Sequence, residues 1–273
     1  MATAPPVTRK PAAERSTAPA APAARLRRLQ EMGAAPFAVL IVLAIAVGVW
    51  DPTFFQAASL LSLLEQAGPL TLLAIGQGLV ILTGRIDLAN AGLASLAGVV
   101  LAKGLDDWGP LAIVAAVGGA TLCGLLMGLI HVTTQVPSFI VTLGFLGVFS
   151  GVSLTASRAD SILVGDGFAA IEWIYFRIFG LPISYLLVLL TGIALMVWLK
   201  VFPIGRRIRA IGLNERAAAL SGIRTNRIVV TVFTASGLMA GLAAVLQVAR
   251  LQSAGANTSR SLMLPAIAAV IVG

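Results

Sequence analysis

Apolar runs separated by short polar segments dominate the pattern of this chain. They predict helices at about residues 35–50, 60–83, 88–102, 109–130, 138–156, 182–201 and 228–249, and an eighth that begins near Met263 and is cut off at Gly273. A helix needs about 20 apolar residues to cross a bilayer, so the first and third are short. The pattern predicts an all-α polytopic transmembrane bundle of seven or eight spans, the last incomplete.

Basic residues concentrate in two segments. Of the 19 Lys and Arg residues, 13 lie within residues 9–28 and 200–227. Basic residues in short loops stay on the cytoplasmic side, so both segments are predicted to be cytoplasmic, with an even number of crossings, six, between them. Residues 157–181 are then external. The net charge of +8 therefore reports membrane topology, and no nucleic-acid partner is expected.

Composition supports a membrane protein. Hydrophobic residues make up 58% of the chain and charged residues 11%, whereas a soluble domain carries about 25% charged residues. Residues 1–33 are rich in Ala and Pro with interspersed basic residues, which predicts a disordered cytoplasmic tail. No small-residue cleavage site follows the first apolar run, so a retained first span is predicted. Residues 34–273 form the predicted transmembrane domain.

The basic segment 203–227 contains a predicted short helix from Asn214 to Leu220. Asn214 suits its N-cap, Glu215 places negative charge in the first turn, and Gly222 suits a left-handed stop. A capped cytoplasmic helix offers a docking surface for a soluble partner. The alternative is a solvated loop that contacts lipid headgroups.

Polar residues at membrane depth form a second candidate site. Gln77, Thr83, Asp87 and Asn90 lie in a segment that Gly84 and Gly92 are predicted to unwind. Such backbone at membrane depth lines a cavity or is buried in protein. Arg85 is expected to neutralise the neighbouring Asp87 in part. The alternative is a cytoplasmic turn with a surface Arg–Asp pair.

The segment GRRIRAIGLNERAAALSGI resembles the coupling segment of ribose-type sugar permeases of ATP-binding cassette importers, whose pattern is roughly GRxxxAxGxNxxAAxLSGI. These permeases belong to the branched-chain amino acid and monosaccharide permease superfamily. The resemblance implies that this segment docks on a separate cytoplasmic ATPase. The residues assigned to this coupling role are Gly212, Asn214, Glu215, Arg216, Ala217, Ala218, Leu220, Ser221 and Gly222.

Two more blocks carry the same resemblance. GQGLVILTGRIDLANAG is similar to the family's GQxxVxLTGGIDLSVG, with Arg85 in place of the usual Gly, and PSFIVTLGFLGVFSGVSL resembles PSFIxTLGxxxxxxG. In the family the first block lies near the translocation path. The resemblance therefore implies that the solute path includes Gln77, Thr83, Asp87, Asn90, Ser138 and Thr142.

The implied function is the permease subunit of an importer for a ribose-like monosaccharide. An external solute-binding protein would deliver the sugar, a second permease copy would complete a homodimer, and the location would be the bacterial inner membrane. The separate ATPase would use ATP, and this chain is expected to bind no cofactor. Family members continue for roughly fifty residues or more beyond the last matching block, so a C-terminally truncated chain is expected.

Other functions are also considered. A secondary transporter driven by an ion gradient needs a buried ionisable relay, for which Asp87 and Arg85 are the candidates. A permease for branched-chain amino acids is the alternative within the superfamily. A membrane-embedded enzyme is disfavoured because neither paired acids nor metal ligands converge, with a single histidine (His131) and a single cysteine (Cys123). No GxxxxGK[ST] loop is present, so the chain is not expected to be the ATPase itself.

Two further patterns bear on packing. GxxxG pairs at Gly124 and Gly128, Gly147 and Gly151, and Gly237 and Gly241 support a closely packed bundle without indicating which helices touch. The predicted external segment carries Trp173, Tyr175 and Phe176, which suit a short interfacial helix at headgroup level. The alternative is contact with a solute-binding protein.

Overall fold

The structure, a computed structural model, describes residues 34–272. Helices dominate this part of the chain, which confirms the all-α prediction. Each of the eight predicted helices has a counterpart, and two more helices occupy the basic segment 203–220. The helices are α1 (Ala34–Trp50), α2 (Ala57–Ile81), α3 (Asn90–Trp108), α4 (Leu111–Thr134), α5 (Ser138–Ala156), α6 (Ile183–Val201), α7 (Pro203–Leu213), α8 (Glu215–Leu220), α9 (Thr225–Leu251) and α10 (Met263–Val272). The predicted tail, residues 1–33, lies outside the described residues.

Five helices are long and apolar enough to cross a membrane, namely α2, α4, α5, α6 and α9. The other three predicted spans fall short for different reasons. Helix α1 has 17 residues and α10 has 10. Helix α3 has 19 residues, but Lys103, Asp106 and Asp107 lie near its C-terminal end. A span count above five therefore remains a prediction.

The chain divides into two units, residues 1–50 and residues 51–273. In the described part of the first unit, α1 is an uninterrupted apolar helix. In the second unit, α9 is the central helix and packs against α2, α3 and α4. Phe233 and Val232, near the middle of α9, are fully buried.

Glycines allow a close helix crossing between α4 and α9. A β-carbon added at Gly124 would collide with the carbonyl oxygen of Phe233, and one added at Gly237 would collide with that of Ala120. The backbones therefore touch where these two GxxxG pairs face each other. The third pair behaves differently, because a β-carbon at Gly147 or Gly151 would have no described atom within 4 Å.

The segment between α5 and α6 covers one end of the second unit. Residues 162–163 pair antiparallel with residues 253–254, which follow α9. The Asp106 carboxylate at the end of α3 accepts a 2.8 Å hydrogen bond from the Gly167 amide. The phenol of Tyr175 donates to the carbonyl oxygen of Ala249, and burial raises the pKa of that phenol. These contacts fix the segment onto the ends of α3 and α9.

The short helix predicted in this segment is a 3-10 turn rather than an α-helix. Trp173 and Tyr175 lie on the turn Glu172–Tyr175, Phe176 directly follows it, and a further 3-10 turn, Asp166–Ala170, precedes it. A hairpin of Arg177–Ile178 with Leu181–Pro182 comes next. The hairpin turn places Phe179 and Gly180 at φ values of 52° and 81°. Both central residues of this two-residue connection thus have positive φ, which the right-handed twist of the strands favours. The opposite end of the unit carries α7, α8 and the connection between α2 and α3.

Candidate functional site

The connection between α2 and α3, residues 82–89, is the non-helical segment predicted at membrane depth. Helix α2 ends at Ile81, and Gly84 has a φ of 73°, a left-handed conformation that favours glycine. The unwinding predicted at Gly84 is therefore confirmed. The unwinding predicted at Gly92 is wrong, because Gly92 lies inside α3 and is buried. We call residues 82–89 the linker.

Asp87 is the buried carboxylate of the linker, with 1% of its surface exposed. Its Oδ1 accepts a 2.9 Å hydrogen bond from the Ala89 amide, and its Oδ2 accepts one of 2.9 Å from the Ser236 hydroxyl of α9. That hydroxyl also accepts 2.8 Å from the Asn90 amide nitrogen. Three segments (the linker, the start of α3 and the middle of α9) thus meet at one serine.

The predicted pairing of Arg85 with Asp87 is wrong. Arg85 instead lies 2.7 Å from Glu215 of α8, and this is the one ion pair within residues 34–272. Asp87 is buried in the bundle, whereas Arg85, two positions earlier, lies against α8. Hydrogen bonds rather than an opposite charge therefore stabilise the Asp87 carboxylate. The alternative of a surface Arg–Asp pair is excluded by the same geometry.

Two hydroxyls on α5 hold the linker from the other side. The Ser138 Oγ accepts a 3.3 Å hydrogen bond from the Ile86 amide, and the Thr142 Oγ1 accepts one of 3.1 Å from the Leu88 amide. Side chains thus satisfy backbone donors that lack helical partners. The hydroxyl of Thr83, within the linker, donates 2.7 Å to the carbonyl oxygen of Val80.

The six residues assigned to the solute path are all buried. The structure gathers Asp87, Asn90, Ser138 and Thr142 around the linker, where most of their polar atoms bond to one another or to backbone. Two buried atoms of these six residues have no hydrogen-bond partner in the described part of the chain, the amide nitrogen of Gln77 and the amide oxygen of Asn90. In this conformation the six side chains are packed around the linker. The Gln77 nitrogen can donate one more hydrogen bond, and the Asn90 oxygen can accept one.

Helix α8 is the predicted coupling helix, and its local geometry confirms the sequence prediction. It runs from Glu215 to Leu220, the Asn214 side chain accepts 2.9 Å from the Ala217 amide, and Gly222 has a φ of 82°. Of the nine residues assigned to coupling, Ala218 is buried, and the other eight are exposed. The exposed apolar residues at this end include Leu213 (88%) and Leu220 (85%).

Sequence analysis did not predict α7, which directly precedes α8. Its apolar residues Ile204, Ile208 and Ile211 share one face, and Ile208 and Ile211 are buried. The arginines of α7 are exposed. The spacing of four and three residues, with Pro203 at the first helical position, is the signal that was available in the sequence.

Arg85 joins the two candidate sites. Its Nη2 contacts Glu215, its Nε donates 2.8 Å to the His131 Nε2, and its Nη1 donates 3.0 Å to the Thr83 carbonyl oxygen. Since His131 Nε2 accepts, its Nδ1 carries the proton and donates 2.7 Å to the carbonyl oxygen of Val136. A cavity of about 510 Å³ lies between α7 and the start of α9, and a second of about 480 Å³ contains this junction. The second is lined by residues of both sets, including Thr83, Ser138, Gly212, Asn214 and Glu215.

The bundle, the buried polar linker and the amphipathic end helices define a multi-pass helical membrane protein. Residues 59–273 match the family model described as branched-chain amino acid transport system / permease component. The chain belongs to this family.

Individual relatives agree with the family. The chain is 34% identical over 252 residues to the ribose import permease protein RbsC of Bacillus subtilis (strain 168), covering 90% of this chain and 76% of the relative. It is 30% identical over 246 residues to the D-allose transport system permease protein AlsC of Escherichia coli (strain K12), covering 87% and 74%. It is 28% identical over 251 residues to the fructose import permease protein FrcC of Rhizobium meliloti, covering 88% and 70%. No solved structure matches the chain.

Proposed function

We propose that this chain is the permease subunit of an ATP-binding cassette importer for a monosaccharide of the ribose class. The observation that carries the proposal is the 34% identity to ribose import permeases, which extends over 90% of the chain for the Bacillus protein. Allose and fructose permeases are also among the relatives, so the substrate class is a monosaccharide. A separate cytoplasmic ATPase hydrolyses ATP, and an external solute-binding protein delivers the sugar.

The proposed coupling surface is the exposed part of α7 and α8. Leu213 and Leu220 expose most of their surface, and the basic residues around them face outward. Large exposed apolar side chains rimmed by polar residues are typical of a protein-binding surface. Glu215 and Arg216 supply charge of both signs beside them. The ATPase is the proposed occupant, and the second permease copy lies elsewhere on the bundle.

The proposed solute path passes the linker. Gln77 and Asn90 each have one buried polar atom without a partner, and Asp87 lies beside Asn90 through their shared contact with Ser236. Sugar hydroxyls both donate and accept hydrogen bonds, so they match an amide nitrogen, an amide oxygen and a carboxylate. Opening of the linker would exchange protein–protein hydrogen bonds for bonds to the sugar. Thr83, Ser138 and Thr142 hold the linker in the closed arrangement.

Uptake of radiolabelled solutes tests this function. The chain, its ATPase and its binding protein would be produced in a bacterial strain that lacks its own ribose, allose and fructose permeases. We expect uptake of at least one of these sugars that stops when ATP is depleted and continues when an ionophore collapses ion gradients. Uptake that stops with the ionophore alone would identify a secondary transporter.

The family description names branched-chain amino acids, which gives the second candidate function. The same cells would be supplied with radiolabelled leucine, isoleucine and valine in parallel. ATP-dependent uptake of these amino acids without uptake of any of the three sugars would replace the monosaccharide proposal. Neighbouring genes for a secreted sugar-binding protein would support the monosaccharide proposal.

A further inference from the structure

Arg85 occupies the position in the linker where the family pattern has a glycine, and it reaches another part of the chain. Its guanidinium lies 2.7 Å from the carboxylate of Glu215, which is 130 residues away in the sequence. Glu215 is the first residue of α8, the proposed coupling helix. A glycine at position 85 would supply no side chain for this contact. The ion pair therefore depends on the arginine of this sequence, and the family pattern does not imply it.

Arg85 is held in place on several sides. Its Nε bonds to His131 at the end of α4, and its Nη1 bonds to the Thr83 carbonyl oxygen within its own linker. Its side chain is 13% exposed, whereas the Glu215 side chain is 47% exposed. A partly buried guanidinium that makes three hydrogen bonds is not free to pair with other groups, so the geometry of the ion pair is well defined.

The backbones of the two segments also touch. A β-carbon added at Gly212, at the end of α7, would collide with the carbonyl oxygen of Leu82 in the linker. A β-carbon added at Gly84 would lie 3.7 Å from the carbonyl oxygen of Gly212. No gap therefore separates the linker from the residues that lead into α8. A movement of α8 has to displace the linker or break this contact.

The linker in turn carries Asp87, which lies at the proposed solute path. Asp87, whose carboxylate Ser236 holds inside the bundle, is two positions after Arg85 in the chain. Because only Ile86 lies between them, a displacement of Arg85 that moves or breaks the bonds of the Ile86 and Leu88 amides to α5 also moves Asp87. A continuous chain of contacts thus runs from α8 to the buried carboxylate.

We propose that the Arg85–Glu215 ion pair is a permanent strut that makes the coupling helix and the linker move as one body. This inference rests on the proposed function, because the strut transmits movement of the ATPase to the solute path. Arg85 is a positioning residue and has no assigned contact with the solute. The ion pair stays closed throughout the transport cycle, and the hydrogen bond to His131 fixes the orientation of the guanidinium.

A double-mutant cycle in proteoliposomes tests the strut. The complex of this chain with its ATPase and binding protein would carry Arg85→Ala, Glu215→Ala or both, with Lys200→Ala, at the exposed end of α6, as control. We expect each single variant to lower sugar-stimulated ATP hydrolysis about 10-fold, and the basal rate of Arg85→Ala to stay unchanged. The double variant should be no worse than either single one, because both remove the same contact. The control should match the parent.

Crosslinking separates a strut from a latch that must open. Arg85→Cys and Glu215→Cys would be combined in a Cys123→Ser background and joined by a short bifunctional thiol reagent. A strut predicts that joining the two cysteines raises radiolabelled ribose uptake to within about 2-fold of the parent. Loss of the residual uptake on joining would show that the pair must separate and would overturn the inference.

The two proposals fail in different ways. If none of ribose, allose and fructose stimulates ATP hydrolysis by the parent complex, the proposed function fails and the strut fails with it. If the parent is stimulated and the Arg85→Ala and Glu215→Ala variants are stimulated equally, the strut alone is wrong. Size-exclusion chromatography of each variant with its ATPase identifies losses of activity that come from failed assembly. An assembly defect that the crosslink does not repair also counts against the strut.

Discussion

One hydroxyl group, that of Ser236, connects three segments of the bundle. It donates to Asp87 and accepts from Asn90, at 2.9 and 2.8 Å. A buried carboxylate without a counter-charge depends on such donors, because the protein interior does not solvate it. The serine therefore contributes more to stability than its size indicates, because its loss leaves both a carboxylate oxygen and an amide nitrogen without a hydrogen-bond partner.

We predict that Ser236→Ala lowers the free energy of unfolding by about 1–3 kcal/mol, the usual cost of leaving buried polar groups unpaired. The matched control is Ser153→Ala on α5. Ser153 is also fully buried, but its hydroxyl has no partner in the described part of the chain. Its removal should change stability by less than about 0.5 kcal/mol or stabilise the protein. Thermal unfolding in detergent measures both, and equal midpoints for the two variants would contradict the prediction.

Sequence reasoning at the residue scale found the polar positions but not their partners. The cost of polar groups at membrane depth indicates Asp87 and Asn90, and the family resemblance indicates Ser138 and Thr142. Which of them meet depends on long-range packing that no local pattern contains. Ser236 was missed because a serine among small residues on an apolar helix is unremarkable in sequence. Arg85 and Asp87 are neighbours in the chain, and proximity in sequence indicated a pair that the fold separates.

At the scale of elements, the α4–α9 crossing depends on the absence of side chains. The two GxxxG pairs bring the helix backbones into contact, and the carbonyl oxygens of Ala120 and Phe233 fill the space that side chains would occupy. Dispersion forces at such short range supply much of the packing energy between helices in lipid, where burial of apolar surface gives little. The crossing therefore tolerates no added methyl group.

We predict that Gly124→Leu destabilises the protein by about 1–3 kcal/mol or more, since the new side chain forces α4 and α9 apart. Gly147→Leu on α5 is the control, because a β-carbon there meets no described atom within 4 Å. Leucine is the better helix former by about 1 kcal/mol, so the control should hold or gain stability. A thermal unfolding series in detergent decides the matter, and two equally destabilised variants would argue against this crossing.

The exposed face of α8 carries the third prediction. Leu220→Asp removes an apolar contact and places a charge on the proposed docking surface, so the dissociation constant of the ATPase should rise about 10- to 100-fold. Leu163→Asp is the control: Leu163 is 76% exposed and lies at the opposite end of the second unit, in the strand paired with residues 253–254. Surface plasmon resonance with immobilised permease in nanodiscs measures binding. Unchanged binding by the Leu220 variant would remove Leu220 from the interface.

Elements could be predicted well where the pattern is strong. Apolar runs located eight helices to within a few residues at most ends, and cap chemistry at Asn214 and Gly222 located α8. The amphipathic helix α7 was missed because its arginines dominated the interpretation of the segment as a loop. The turns and short strands between α5 and α6 were missed because 3-10 turns and two-residue strands have no repeating pattern to detect.

For the molecule as a whole, the structure places residues 157–182 and the α7–α8 segment at opposite ends of the second unit. Which end faces the cytoplasm remains a prediction from the positive-inside rule. We expect Asp166→Cys to react with a membrane-impermeant maleimide added to intact cells, and Arg216→Cys to be protected. Both would be made in the Cys123→Ser background.

Permeabilised cells serve as the control for this labelling, because both cysteines should react once the reagent reaches each side. Asp166 and Arg216 are both exposed in the structure, so burial does not account for a difference between them. Labelling of position 216 alone in intact cells would invert the membrane topology and remove the ATPase from the proposed surface. The order of helices around α9 was beyond sequence reasoning, since glycine pairs do not identify their partners.

The central position of α9 also constrains how the protein is made. Helix α4 presents Gly124 and Gly128 to a partner that the ribosome synthesises about 110 residues later. At about 5–20 residues per second, the interval lasts roughly 6 to 20 seconds, during which α2, α3 and α4 lack their common neighbour. The carboxylate of Asp87 lacks its Ser236 partner for longer, because Ser236 lies 149 residues after it. Insertion of the early helices and packing of the bundle are therefore separate in time, and the packing is completed only after α9 is synthesised.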